Sequence, residues 1–155
     1  GHQKASADLA HKIMKRLKFD NKTISIVEKL VLYHDESLTP QPKQIRRWLS
    51  KIGVDNFRLL LWIKRADISG QVPHLKDERL LMIDEVERCM EDILQKGQCF
   101  SLKDLDIDGR DLVNLGMEGP MVGRTLRKLL DMVIDEKIEN KRPLLVAKAK
   151  ELMEE

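Results

Sequence analysis

An all-α fold, with helical lobes joined by a longer connecting helix and no β-sheet, is what this sequence predicts. Apolar residues recur at spacings of three and four along most of the chain, and no segment alternates apolar and polar residues as a half-buried strand would. Glycine and proline mostly punctuate the ends of those periodic segments. Of the 155 residues, 42% are hydrophobic and 35% charged, which is enough to build a core and still solvate the outer helix faces.

Each element has its own signal. Leu9, Ala10, Ile13, Met14 and Leu17 make a first apolar stripe. After the polar turn Asp20-Asn21-Lys22, a second stripe runs through Ile24, Val27, Leu30, Val31 and His34. Pro40 and Pro42 break the chain, and Pro42 suits the first turn of a third helix, because the N–H it lacks would have no intrahelical partner there. That helix buries Ile45, Trp48, Leu49 and Ile52 and ends at Gly53. Asp55 is expected to cap a fourth helix carrying Phe57 through Ile68, which Gly70 and Pro73 terminate. The connecting helix spans Asp77 to Gly97, with Leu80, Ile83, Val86, Met90, Ile93 and Leu94 on its apolar side. Ser101-Leu-Lys-Asp104 reads as a capping box with Asp in place of Glu, followed by two short helices over Leu102–Leu105 and Gly109–Leu115. Gly119-Pro120 opens a helix containing Val122, Leu126, Leu129, Leu130, Val133 and Ile134, and a last helix begins at Pro143.

Composition narrows the class. No apolar run is long enough to cross a membrane, and no signal-peptide pattern opens the chain. Cys89 and Cys99 form no C-x-x-C pair, so a reduced, cytoplasmic setting is expected rather than a disulfide or zinc framework. The net charge of +2 selects no partner by itself.

Several local patterns invite chemistry. Asp104-Leu-Asp-Ile-Asp-Gly109 resembles the opening of a calcium loop, but the twelfth position, which needs a bidentate Glu, is Leu115. Asp108 and Asp111 are better placed to cap and flank a short helix whose N-terminus favours acids. Lys43, Arg47 and Lys51 lie four residues apart on one helix face, with Arg46 beside them. Arg58, Trp62 and Arg65 share a face of the next helix, with Lys64 adjacent. Cations with an aromatic among them can neutralise phosphates and stack on a base, although solvated basic faces are also common. Gly119-Pro120 offers a helix N-terminus followed by Arg124, Arg127 and Lys128, which also suits phosphate, though Gly-Pro is equally a plain boundary signal. His2, His11, His34 and Asp35 suggest a metal phosphohydrolase, yet His34 stands on an apolar stripe and too few further ligands are in view. No nucleophile motif and no Walker A sequence occurs.

Together these segments resemble the C-terminal region of bacterial CCA-adding tRNA nucleotidyltransferases and their poly(A) polymerase relatives. That family's pattern, roughly D-L-x-I-x-G-x-D-L, a spacer ending in G-P, then x-x-G-x-x-L-x-x-L, is matched by Asp104, Leu105, Ile107, Gly109, Asp111, Leu112, Gly119, Pro120, Gly123, Leu126 and Leu129. I-R-R-W-L-S-K-I-G (45–53) and L-L-L-W-I-K-R-A-D-I (59–68) look like its neck and body, and G-H-Q-K-A-S-A-D-L-A with R-L-K-F like the end of its HD-like segment. The resemblance implies three parts: residues 1–40 ending the HD-like segment, 41–76 as neck and body helices, and 77–155 as the connecting helix with a tRNA-binding-like domain. It implies tRNA as partner, gripped at the acceptor and TΨC arm by Lys43, Arg46, Arg47, Lys51, Arg58, Trp62, Arg65, Gly119, Arg124, Arg127 and Lys128.

The family's catalytic head, with its Gly-Ser phosphate motif and paired aspartates, has no counterpart in these residues. The expectation is therefore a C-terminal portion, inactive alone, whose parent uses Mg2+ with CTP or ATP in the head. Two alternatives from other classes stand beside it: a residual HD-type phosphohydrolase built on His2, His34 and Asp35, and a helical scaffold that dimerises through the Asp77–Gly97 rod.

Overall fold

The computed structural model describes residues 2–70 and 76–154. Pro73, Gly1 and the side chain of His2 lie outside the described residues. Among those described, the chain is helical without any strand: α1 (His2–Arg16), α2 (Asn21–Tyr33), α3 (Pro42–Ile52), α4 (Val54–Ser69), α5 (Lys76–Gln95), a 3-10 turn (Leu102–Asp104), α6 (Gly109–Asn114), α7 (Pro120–Ile134) and α8 (Arg142–Glu154). The all-α expectation holds. It divides into two compact units, residues 1–89 and 90–155, with the boundary inside α5.

In the first unit α1 packs on α2, and both α2 and α3 pack on α4. Asp20 caps α2: its carboxylate accepts from the Thr23 N–H at 2.9 Å and from the Thr23 hydroxyl at 2.5 Å. Those bonds hold its pKa below the usual carboxylate range. The other end of α2 is closed by Lys64 of α4, whose ammonium donates to the carbonyls of His34 at 2.7 Å and Glu36 at 2.5 Å. Burial pushes the pKa of that lysine down.

The core is built by Ile45, Leu49, Phe57, Leu60 and Leu61. Tyr33 meets Trp48 edge-on at 5.3 Å, Trp48 stacks on Phe57 at 6.4 Å, and Lys51 places its ammonium 4.2 Å above the Tyr33 ring. The apolar stripe expected of α1 is only partly covered, since Leu9, Ile13 and Leu17 stay exposed while Ala7 is buried.

Gly53 both ends α3 and begins α4, with φ 82° and ψ 161°. That conformation is essentially reserved for glycine. It also corrects one expectation: Asp55 does not cap α4 but stands in its first turn, because the chain reverses within a single residue and leaves no room for a separate cap.

The second unit gathers Leu105, Ile107, Leu112, Met117, Leu129, Ile134 and Leu145 into one core. The segment expected as a short helix over Leu102–Leu105 is a single 3-10 turn, held by the Ser101–Asp104 capping box. Four residues cannot close enough α-helical bonds to repay nucleation.

Candidate nucleic-acid interface

The aspartate-rich loop is a bracing device. Asp104 accepts from the Ser101 N–H and hydroxyl, both at 2.8 Å. Asp108 caps α6 by accepting from the N–H groups of Arg110 (2.8 Å) and Asp111 (3.0 Å), and Asp111 accepts in return from the Asp108 N–H at 2.9 Å. Both Asp111 oxygens also receive the Arg142 guanidinium. Asp106 accepts from the Arg142 N–H at 2.8 Å, while Asn140 donates to the Asp104 carbonyl and accepts from the Asp106 N–H. The loop is thereby tied to the α7–α8 connection more than thirty residues away. The Asp108 N–H, and then Arg142, keep the Asp111 carboxyl below its ordinary pKa. The cap role of Asp108 and Asp111 was legible from spacing; Asn140 and Arg142 carry no local signal and were missed.

The basic residues fall into distinct settings. Lys43 and Arg47 are exposed on α3, on the face that spacing assigned them, and Lys51 is exposed there too, seated over Tyr33 and Trp48. Arg46 is not at the surface with them: it is 9% exposed and turned among the core residues of α3. The α4 set is not brought together as one cationic face. Arg65 donates to Asp84 at 2.8 Å and Glu87 at 2.6 Å on α5, which raises its pKa, and Lys64 closes α2. Arg58 is half-buried, and Trp62 is 65% exposed beside exposed Leu59 and Ile63.

In the second unit, Gly119 begins α7 with φ 54° and no side-chain cap. Arg124, Arg127 and Lys128 are all exposed along the next two turns. A cleft of about 220 Å³ between α7 and α8 is lined by Met121, Arg124, Thr125, Lys128 and Leu152. Thr125, Met121 and Leu152 were not anticipated. Leu152 reaches the cleft from a different helix, which spacing along α7 cannot reveal.

His34 donates or accepts at Nδ1 with the Val31 carbonyl at 2.7 Å, and its Nε2 lies 3.1 Å from Asp35. A wider cleft of about 680 Å³ beside it is lined by Asp35, Lys64, Asp67, Glu78 and Arg79, so acids and bases alternate there. His11 pairs with Glu28 at 2.6 Å, away from that cleft's lining. Among the described residues no three His, Cys, Asp or Glu side chains gather where a metal ion could be held, and no helix is long and apolar enough to cross a membrane.

Comparison with known proteins supplies one match. A family model described as tRNA nucleotidyltransferase domain 2 covers residues 3–149. No curated protein and no solved structure matches the chain.

Proposed function

The chain belongs to the tRNA nucleotidyltransferase domain 2 family, and from that membership we propose that it is the RNA-binding portion of a nucleotidyltransferase. In this reading it positions the acceptor and TΨC arm of tRNA while a catalytic head elsewhere in the parent protein extends the 3′ end. The observation that carries it is the family match over residues 3–149, combined with two exposed basic strips within the matched span: Lys43, Arg47 and Lys51 on α3, and Arg124, Arg127 and Lys128 on α7.

The chemistry suits the partner. A-form RNA hides its base edges in a deep groove and is gripped through phosphates, 2′-hydroxyls and overall shape. Exposed lysine and arginine neutralise phosphates and release counterions, so affinity falls steeply with salt. Trp62 adds a flat ring on which an unpaired base can stack. Mg2+ and CTP or ATP belong to the head in this scheme, and no step on this chain is routed through them.

Fluorescent tRNA, titrated against duplex DNA of equal length at two salt concentrations, tests the proposal. Arg47→Ala is the appropriate α3 variant, because Arg46→Ala would disturb packing as well as charge. The expected result is tighter, salt-sensitive binding of tRNA that weakens on Arg47→Ala and Arg124→Ala. Equal affinity for both nucleic acids, or none for either, would move a helical scaffold to first place. Incorporation of labelled CTP or ATP into tRNA by the purified chain would refute the assignment of chemistry to a separate head.

A further inference from the structure

We propose that the cleft between α7 and α8 is a seat for a single backbone phosphate, clamped by Arg124 and Lys128 over Thr125. The proposal rests on the RNA-binding reading above and narrows it to one place on the molecule and one part of the nucleotide.

Arg124 and Lys128 are one helical turn apart, so their side chains rise from neighbouring positions, about 5–6 Å between Cβ atoms. Both are exposed and both line the cleft. Thr125 lies between them in sequence and is only 6% exposed, which puts a hydroxyl-bearing residue in the floor. Met121 and Leu152 are the apolar walls.

Size and lining select the ligand. At about 220 Å³ the cleft falls below the roughly 300–1,000 Å³ typical of small-molecule sites. No aromatic ring and no carboxylate lines it. A base would have nothing to stack on, whereas a tetrahedral anion meets two cations and no repulsion.

The surroundings sharpen this. In the same unit Lys96, Lys137, Lys141, Arg142 and Lys148 are each paired with an acid. Arg124 makes no ion pair among the described residues. Glu151, the acid next to Leu152, is engaged by Lys148 at 2.6 Å. The cleft is therefore a local positive spot within a unit whose other charges largely pair among themselves. The larger cleft beside His34, with Asp35, Glu36, Asp67 and Glu78 in its lining, offers an anion no such setting.

The test is binding of a fluorescent tRNA to the full chain across a salt series, comparing wild type with Arg124→Gln/Lys128→Gln and with Met121→Glu. Met121 is exposed, so the new carboxylate enters the cleft without a cost in packing. Thermal melts by circular dichroism establish that each variant is folded. Arg110→Gln, an exposed cation of the same unit outside the cleft, is the control.

The double variant is expected to weaken binding about tenfold and to lower the slope of log affinity against log salt by about one unit per cation removed. Met121→Glu should weaken binding comparably, and Arg110→Gln should change neither quantity. Wild-type binding that survives both cleft variants with its slope intact, yet falls on Lys43→Gln/Arg47→Gln, overturns the phosphate seat and leaves the RNA-binding reading standing. Absence of wild-type binding at low salt overturns both.

Discussion

Asp111 performs two functions that spacing alone could not rank. It completes the reciprocal cap at the start of α6, and it holds the Arg142 guanidinium with both oxygens. Asp111→Asn keeps the shape but removes the charge that Arg142 and the Asp108 N–H favour, so it should lower the melting temperature of the second unit. The same argument sets a pH dependence. The folded-state pKa lies below the ordinary value of 3.8, so the stabilisation is complete above that value and is lost as pH falls through the folded pKa. Wild type should therefore lose more stability on acidification below about pH 4 than Asp111→Asn does. Thermal melts at pH 6 and at pH 3 would check this, and equal losses would show that the cap carries no charge-dependent stability. At the same scale, Arg46 and Arg47 are adjacent basic residues that only burial separates.

Among the elements, the α3–α4 connection has the least freedom. One residue links two helices, and its φ of 82° with ψ of 161° is hostile to any side chain, although a Cβ there would touch nothing. Gly53→Ala should thus cost about 1–3 kcal/mol through backbone strain alone, read as a shift in the denaturation midpoint with an unchanged slope. A neutral result would mean that the helices can part slightly without loss. The neighbouring helix α4 shows why face-counting misjudged a cluster. Arg65 shares a face with Trp62 by spacing, yet Asp84 and Glu87 of α5 hold its guanidinium, while Trp62 stays open. Long side chains choose partners on other elements that their own helix cannot announce.

The molecule as a whole holds two compact units, and both tryptophans belong to the first. This permits a separation of signals. Leu112 is completely buried in the core of the second unit, so Leu112→Ala should destabilise that unit by about 2–5 kcal/mol. Far-UV circular dichroism, which sees all helices, should then show an early transition that Trp fluorescence does not follow. Coincident transitions by both probes would instead show that the units unfold as one. Phe57→Ala, also completely buried but in the first unit, should move the fluorescence transition by a comparable amount, about 3–5 kcal/mol.

Helix number, the glycine and proline boundaries and the cap roles of Asp104, Asp108 and Asp111 were determined by sequence alone, because periodicity, missing N–H groups and unpaired helix ends act over three or four residues. The motif running from Asp104 to Leu129 likewise pointed to the family that the match over residues 3–149 shows. Tertiary structure decided which cations stay at the surface. Arg46 is buried, Arg65 is tied to α5, Lys64 closes α2, and Arg124 with Lys128 borders a cleft whose far wall is Leu152. The physical reason is reach. Local rules govern where a backbone bends and which face turns inward, but the end of a lysine or arginine settles wherever another element supplies a carboxylate, a carbonyl or nothing at all.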